Sequence, residues 1–316
     1  MAIAPMMDWT DRHCRYFLRL LSPSAELYTE MVTAAAVHHG DAGRLLRFDA
    51  AEHPVTAQLG GSDPALMAAA AARAAVEGYD SVNINVGCPS DRVQSGQFGA
   101  CLMASPALVA ECYRAMADAA GIPVSVKSRT GIDDQDSDSF LFDFVATLAD
   151  AGCRRFIVHA RIALLSGLSP KENRSVPPLN YERVFRLKRS FPELEIVING
   201  GIRSLDEVDR CLEHVDGVMI GREAYHNPYF LAELEAHLTP DFVPPTRREV
   251  VVRMLPYIRR ELDDGVRLNS MTRHLLGLFA GQPGARAWRR HLSENAHRNN
   301  DPEVLLAALD SMARAA

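Results

Sequence analysis

Runs of β-branched residues interleaved with small polar ones recur along the chain, and most are followed by a stretch whose apolar positions repeat every three to four residues. The alternating runs predict strands at residues 2–5, 26–31, 54–59, 80–86, 123–129, 155–160, 194–199 and 216–220. The intervening stretches predict helices, with starts such as SDPALM, SPALVAEC and SLDEVDRCL that offer a serine N-cap and a proline or an acid in the first turn. Eight strand–helix alternations predict an α/β chain folded as a (β/α)8 TIM barrel, with an open doubly wound sheet as the alternative. After PDFVPPTRRE the alternation stops, and helical periodicity continues without strands. A barrel domain over residues 1–244 and a small C-terminal all-helical domain over residues 245–316 are expected.

Within a strand, successive side chains take opposite faces. Thr56 and Gln58 therefore oppose Val55 and Ala57, and Asn83 and Asn85 oppose Val82, Ile84 and Val86. Ser125, Lys127 and Arg129 oppose Val124 and Val126, and Ile157, His159 and Arg161 oppose Phe156 and Val158. Four successive strands thus end on a polar side chain, Gln58, Asn85, Lys127 and His159, at the end of a barrel where active sites are built. Taken singly, each has an ordinary structural explanation; together, a ring of polar groups around one mouth is costly to bury without a ligand to pair with. Glycine-bearing turns follow the seventh and eighth strands, INGGIRS and IGREAY. Their position matches the usual phosphate site of this fold, and Gly200, Gly201, Gly221 and Arg222 fit that role.

Charge adds a second theme. The chain carries a net −6, yet residues 245–316 hold 12 arginines against 8 acids, a local +4 that leaves −10 for the rest. A basic segment on an acidic body suggests an anionic partner at one end. The six cysteines show no CxxC pair and no metal-ligand spacing with histidine, so neither a metal centre nor a disulfide framework is expected. The start MAIAPMMDWTDRH lacks a basic segment leading into an apolar one, and the Ala-rich run 65–76 is interrupted by Arg73. A cytoplasmic protein with no membrane partner follows, and nothing in the sequence points to DNA or to an obligate protein partner.

The stretch VNINVGCPSDRVQSGQFGA resembles the signature of the tRNA-dihydrouridine synthases, flavoproteins built from an FMN-binding barrel and a C-terminal helical domain. APMMDWTDRHCR, VKSRTGID, HARIALLSGLSPKENR, INGGI and GREAYHNP also resemble blocks of that family, so the likeness runs through the whole chain. LSPKENRSVPPLNYERV and LGLFAGQPGARAWRRHLSENAH are similar to the A-type subfamily, whose substrate is the D-loop uridine at tRNA positions 20 and 20a. The resemblance implies tightly bound FMN with NADPH as a transient reductant. It also implies that Pro5, Met6 and Met7 lie along the flavin, that Gln58 and Lys127 hydrogen-bond its ring system, and that His159 contacts it. Asn199, Gly200, Gly201, Gly221 and Arg222 would hold the ribityl phosphate. Asn85, Lys171 and Arg174 would meet the tRNA, joined by Arg286 and Arg289 from the helical domain.

In that setting the Cys-Pro pair after the fourth strand acquires a chemical purpose. Saturating the C5–C6 bond of uracil takes a hydride at C6, which reduced FMN can deliver from N5, and a proton at C5 from a protein acid on the opposite face. Cys88 is the candidate acid, since an ordinary thiol, with a pKa of about 8.5, is mostly protonated at neutral pH. Pro89 restricts the backbone of the residue before it. Cys101 competes within the same loop, whereas Cys112 and Cys211 fall in helical patterns and are expected to be buried. No GxGxxG follows a strand, so NADPH would visit only transiently. The residues by themselves leave two other readings open: an FMN barrel acting on a free pyrimidine, and a non-redox barrel or RNA-binding protein without catalysis.

Overall fold

The computed structural model describes residues 1–90, 93 and 96–315. Its strands are β1 (Ala2–Ile3), β2 (Glu26–Tyr28), β3 (Val32–Thr33), β4 (Val55–Gly60), β5 (Ser81–Val86), β6 (Val124–Arg129), β7 (Arg155–His159), β8 (Glu195–Asn199) and β9 (Gly217–Ile220). All pair in parallel in the order β2-β1-β9-β8-β7-β6-β5-β4-β3, and β2 also pairs with β4 through Leu27↔Val55 and Tyr28↔Thr56. That last pairing closes eight strands into a barrel; β3 is a two-residue addition beside the end of β4. The open-sheet alternative is thereby excluded. Each predicted strand is present, with two changes. The first ends at Ile3, because although the Ala4 N–H still reaches the Ile220 carbonyl, Pro5 has no donor to continue the ladder. The run 26–31 stops at Tyr28, and pairing resumes as β3.

Helix starts follow local chemistry. Ser204 and Glu207 form a reciprocal capping box at the start of helix Leu205–Leu212. At helix Pro64–Glu77 the cap is Asp63 rather than the expected Ser62, its carboxylate accepting from the Ala65 and Leu66 N–H groups. The aspartate sits directly before the proline of the first turn, which leaves Ser62 one residue outside.

The barrel interior is layered. At the amino ends of the strands, Thr56 donates to Glu26 at 2.7 Å and meets Ser81 at 2.6 Å, while Arg155 pairs with Glu26 and Glu195. Above this charged floor lies an apolar belt of Ala2, Ala4, Tyr28, Ile157, Val197 and Met219. Outward-pointing Val82, Ile84, Val126, Phe156, Val158, Ile196 and Ile198 are buried under the helices. The inward-pointing polar side chains above the belt therefore face the mouth.

The chain divides into two compact units, Met1–Met7 with Glu26–Gly221, and Asp8–Ala25 with Arg222–Ala316. The division differs from the boundary expected at 244/245: the second unit begins at Arg222 and takes in helix Arg12–Leu21 from near the amino terminus. Non-local polar contacts account for this. Ser22 donates to buried Glu235, His13 Nδ1 lies 2.6 Å from the Tyr257 hydroxyl, Tyr16 stacks on Tyr257 at 3.9 Å, and Arg12 pairs with Glu261. Within the same unit, Trp288 is fully buried and donates to the Leu275 carbonyl at 3.0 Å. Among the described residues no helix is long and apolar enough to cross a membrane.

Asp11 concentrates these ties. It caps helix Arg12–Leu21 by accepting from the His13 and Cys14 N–H groups, pairs with Arg273 at 2.7 Å and meets His274 Nε2 at 3.1 Å. Burial alone would raise its carboxyl pKa, but the bonds and charge of His274, the Cys14 N–H and Arg273 overcome this and hold it well below the usual range. A carboxylate held low in the folded chain contributes stability above its unfolded pKa and loses it as pH falls through the folded one. Asp11→Asn, which keeps a capping oxygen, is expected to cost about 1–2 kcal/mol at pH 7, and Asp11→Ala about 1 kcal/mol more. Urea unfolding checks this: the gap between wild type and Asp11→Asn should narrow as pH drops below 3.8, and equal losses for both variants would show that the cap contributes nothing.

Candidate active site at the barrel mouth

Parallel register sets neighbouring inward side chains side by side, Gln58 beside Asn83, Asn83 beside Ser125, and Asn85 beside Lys127. They form a chain of hydrogen bonds. Asn85 Nδ2 donates to Gln58 Oε1 at 2.8 Å, Gln58 Nε2 to Asn83 Oδ1 at 2.8 Å, and Asn83 Nδ2 to Ser125 Oγ at 2.9 Å. On the other side of the mouth Lys127 Nζ donates to Asn199 Oδ1 at 3.2 Å, and Asn199 Nδ2 donates to the Met219 carbonyl at 2.8 Å. Each amide is thereby fixed in orientation by its neighbour. Sequence alternation identified Gln58, Asn85 and Lys127; the buried Asn83 and Ser125, on the same faces, complete the chain beneath them.

Asn85 has a second task. Its Oδ1 accepts from the N–H groups of Gly87 at 3.1 Å and Cys88 at 3.0 Å, a side-chain turn that bends the backbone directly after β5. The Cys88 carbonyl accepts from Ala100 N–H at 2.9 Å, and its thiol lies 3.6 Å from Ser90 Oγ. Cys88 is therefore held by both its backbone N–H and its carbonyl while its side chain stays half-buried. Cys14, Cys112, Cys153 and Cys211 are buried, and burial pushes the Cys112 and Cys211 thiols up to about 11 and Cys153 to about 12. Cys101 is also half-buried, but its thiol is engaged with the Phe98 carbonyl at 3.1 Å and raised by burial.

After β8 the backbone of Gly200 and Gly201 adopts φ of +122° and +75°. A Cβ on Gly200 would lie 2.7 Å from the His159 ring, and one on Gly201 would lie 2.6 Å from Leu179, so only glycine fits this turn. His159 stands in register with Asn199 immediately before the turn. Gly221 has no such restriction; its hypothetical Cβ meets Ala4 and the Asn199 amide at 3.9 Å, ordinary contact distances. Arg222 opens helix Arg222–His226 of the second unit. Pro5 and Met6 are half-buried just past β1, Met6 against the apolar belt, and Met7 is 56% exposed.

Lys171 and Arg174 are exposed on the loop after β7, flanking Asn173, which is fully buried. Asn173 Oδ1 accepts from Leu164 N–H at 2.8 Å and its Nδ2 donates to the carbonyls of Leu164 and Leu168 at 2.9 and 3.2 Å. Arg129, at the end of β6, donates to the carbonyls of Gly87, Ile162 and Asn173 at 3.0, 3.2 and 3.0 Å. Neither Arg129 nor Asn173 stands out in the sequence as more than a strand-end or loop residue. Arg129 is nonetheless on the predicted inward face with Lys127, which is the signal that points to it. In the second unit, Arg286 and Arg289 are exposed three residues apart on helix Ala285–Asn295. Arg290 is paired with Glu294 at 2.9 Å, and no ion pair among the described residues engages Arg286 or Arg289.

Comparison with known proteins adds what geometry cannot. A profile of the family described as Dihydrouridine synthase (Dus) matches residues 2–314. The chain belongs to the dihydrouridine synthase family. A relative from Salmonella typhi named tRNA-dihydrouridine(20/20a) synthase is 59% identical over 315 residues, covering 99% of this chain and 95% of its own. Proteins of the same name from Vibrio cholerae and Escherichia coli K12 are each 58% identical, covering 94% and 99% of this chain and 91% of their own lengths. Among solved structures, an old yellow enzyme homologue from Zymomonas mobilis superposes with a TM-score of 0.55 at 12% identity, over 77% of this chain and 90% of that one. A 2-naphthoyl-CoA reductase in complex with 2-naphthoyl-CoA gives 0.57 at 12% identity, over 77% and 51%. At that identity the structural likeness concerns the fold.

In this dihydrouridine synthase the electrostatics of the mouth centre on Lys127. Burial, reinforced by the like charge of Arg129 and partly offset by Cys88, brings its ammonium down to about 7. Burial also lowers Arg129 to about 10, and Cys88 again acts to raise it. Both cations are thus near enough to Cys88 for a negative charge there to favour their charged forms. A lysine whose folded pKa lies below 10.5 binds fewer protons than in the unfolded chain, so its burial weakens the fold most at and below neutral pH and less as pH rises toward 10.5. Lys127→Met is expected to raise the melting temperature at pH 7 by about 2–4 °C, with the advantage shrinking at pH 9.5. Thermal melts at the two pH values check this; a pH-independent difference would mean that Lys127 is not held in a desolvated site.

Proposed function

We propose that this chain is an FMN-dependent tRNA-dihydrouridine synthase that reduces the D-loop uridines at positions 20 and 20a, with NADPH as reductant. The observation that carries it is the half-buried Cys88 thiol, fixed through its own backbone by Asn85 and Ala100, on a loop whose Gly87 carbonyl is held by buried Arg129. The family membership and the shared name of relatives at 58–59% identity support the substrate and its position. The reading goes with a cytoplasmic protein.

The residues present fit a flavin. The turn at Gly200 and Gly201, where a side chain would collide with His159 and Leu179, suits a phosphate approached by backbone N–H groups. Lys127 has no carboxylate partner among the described residues and its amide-lined setting suits the electron-rich edge of a ring system. Gln58 and Lys127 would hold that ring, Pro5, Met6 and Met7 would line it, and His159 would contact it. Gly200 and Gly201, with Gly221 and Arg222, would hold the phosphate. Asn199, whose amide is committed to Lys127 and the Met219 carbonyl, suits an orienting role better than a direct phosphate contact. When bound, FMN would supply the hydride that adds to C6 of uracil.

Cys88 would donate its thiol proton to C5. Asn85, besides shaping the loop, would meet the flipped uracil. Lys171 and Arg174 from the barrel, and Arg286 and Arg289 from the helical unit, would hold the polyanion while the target base leaves its stack. In this reading the barrel is the FMN-binding catalytic body and the helical residues 245–316 the tRNA-binding domain.

Unmodified tRNA incubated with the protein, FMN and NADPH should gain dihydrouridine at 20 and 20a. Cys88→Ala should lose at least about a hundredfold in kcat while keeping its flavin absorbance. Reduction of free uridine but not of tRNA would refute the substrate assignment, and full activity in Cys88→Ala would refute the acid. Arg286→Ala and Arg289→Ala should each weaken tRNA binding and lower the slope of log affinity against log salt by about 1, as read by titration at several ionic strengths.

A further inference from the structure

The guanidinium of Arg129 joins two loops that are far apart in sequence. It is 3% exposed, has no carboxylate partner among the described residues, and spends its bonds on backbone carbonyls: Gly87 from the loop after β5, Ile162 and Asn173 from the loop after β7. A planar fork spreads its five donors over three nitrogens and can serve carbonyls arriving from well-separated directions, whereas the three donors of a lysine all leave one atom. Asn173, fully buried, turns the second loop into a unit of its own by bonding both the N–H and the carbonyl of Leu164 and the carbonyl of Leu168. The first loop carries Cys88 and the second carries Lys171 and Arg174. Gly87 is the residue directly before Cys88, and Asn173 lies between the two exposed cations.

We propose that Arg129 and Asn173 are positioning residues that clamp the Cys88 loop to the Lys171–Arg174 loop, so that the distance between the proton donor and the cations that would hold the nucleic acid is set by one buried bracket. The proposal rests on the reading of Cys88 as the acid for its purpose, though not for its geometry. A base must present C5 to Cys88 while its phosphates are held elsewhere, and a reach that wanders by an ångström loses much of the rate. The bracket fixes that reach from inside the protein. Arg129 would act through the Gly87 carbonyl and Asn173 through its own backbone carbonyl, neither needing to touch the reacting atoms.

Hydrogen exchange read by mass spectrometry on the full chain tests the clamp without tRNA or turnover. Asn173→Ala should speed exchange about tenfold in residues 162–176 and also in residues 85–90, although its side chain touches only the former. Arg129→Lys should do the same in both segments. Acceleration confined to 162–176 in Asn173→Ala would overturn the proposal, as would unchanged exchange at 85–90 in Arg129→Lys. Should Asn173→Ala fold poorly, Asn173→Asp keeps the acceptor for Leu164 N–H and should show a smaller change in the same two segments. In turnover, Asn173→Ala should raise the KM for tRNA about tenfold with kcat within about twofold, while Arg129→Lys should lower kcat, both keeping NADPH-driven flavin reduction in the absence of tRNA. Wild-type protein that makes no dihydrouridine would refute the proposed function and leave the exchange test of the bracket to stand or fall by itself.

Discussion

Closing a parallel sheet on itself forces every second side chain of every strand into one enclosed space, and the rest of this molecule follows from how that space is filled. Charged residues occupy the floor, small and apolar ones the belt, and amides with one lysine the mouth. Buried amides without partners would weigh heavily against folding, so the register that places Gln58, Asn83, Asn85 and Ser125 side by side is also what makes them tolerable. The same register leaves Lys127 and Arg129 without a carboxylate partner among the described residues, with Arg129 bonded to the Gly87 carbonyl next to Cys88. A fold built only for stability would have little use for that arrangement.

The loops around the mouth depend for their shape on a few side chains. Asn85 belongs to the barrel by one end of its amide and to the Cys88 loop by the other, so the orientation of the thiol is tied to the closed sheet. Arg129 extends that tie to the loop after β7. The glycine turn after β8 is held between the His159 ring and Leu179, which keeps its backbone close to the mouth.

The helical unit shows a different kind of constraint. Helix Arg12–Leu21 is joined to helices more than 200 residues later by Ser22–Glu235, His13–Tyr257 and Asp11–His274. Its surface arginines are divided between those paired with nearby acids, such as Arg290, and those such as Arg286 and Arg289 for which no described acid is a partner. The modest local charge of +4 over residues 245–316 therefore understates how much cation stands available.

The eight barrel strands, the inward faces of the four that carry Gln58, Asn85, Lys127 and His159, and the Gly200–Gly201 turn were legible in the sequence, because each depends on a period of two or on the backbone freedom of glycine. The signature around Cys88 likewise identified the family, and the buried fate of Cys112 and Cys211 followed from helical periodicity. The rest needed the tertiary structure. Asp63 rather than Ser62 caps its helix because of where the first turn begins. The boundary at 221/222, and the capture of residues 8–25 by the helical unit, rest on contacts between side chains far apart in the chain, which no local pattern encodes. For the same reason Arg129 and Asn173 looked ordinary: a strand-end arginine and a loop asparagine become a bracket only when three carbonyls from two distant loops arrive around them. Local periodicity determined which side chains face inward, and only the closed barrel decided which of them meet.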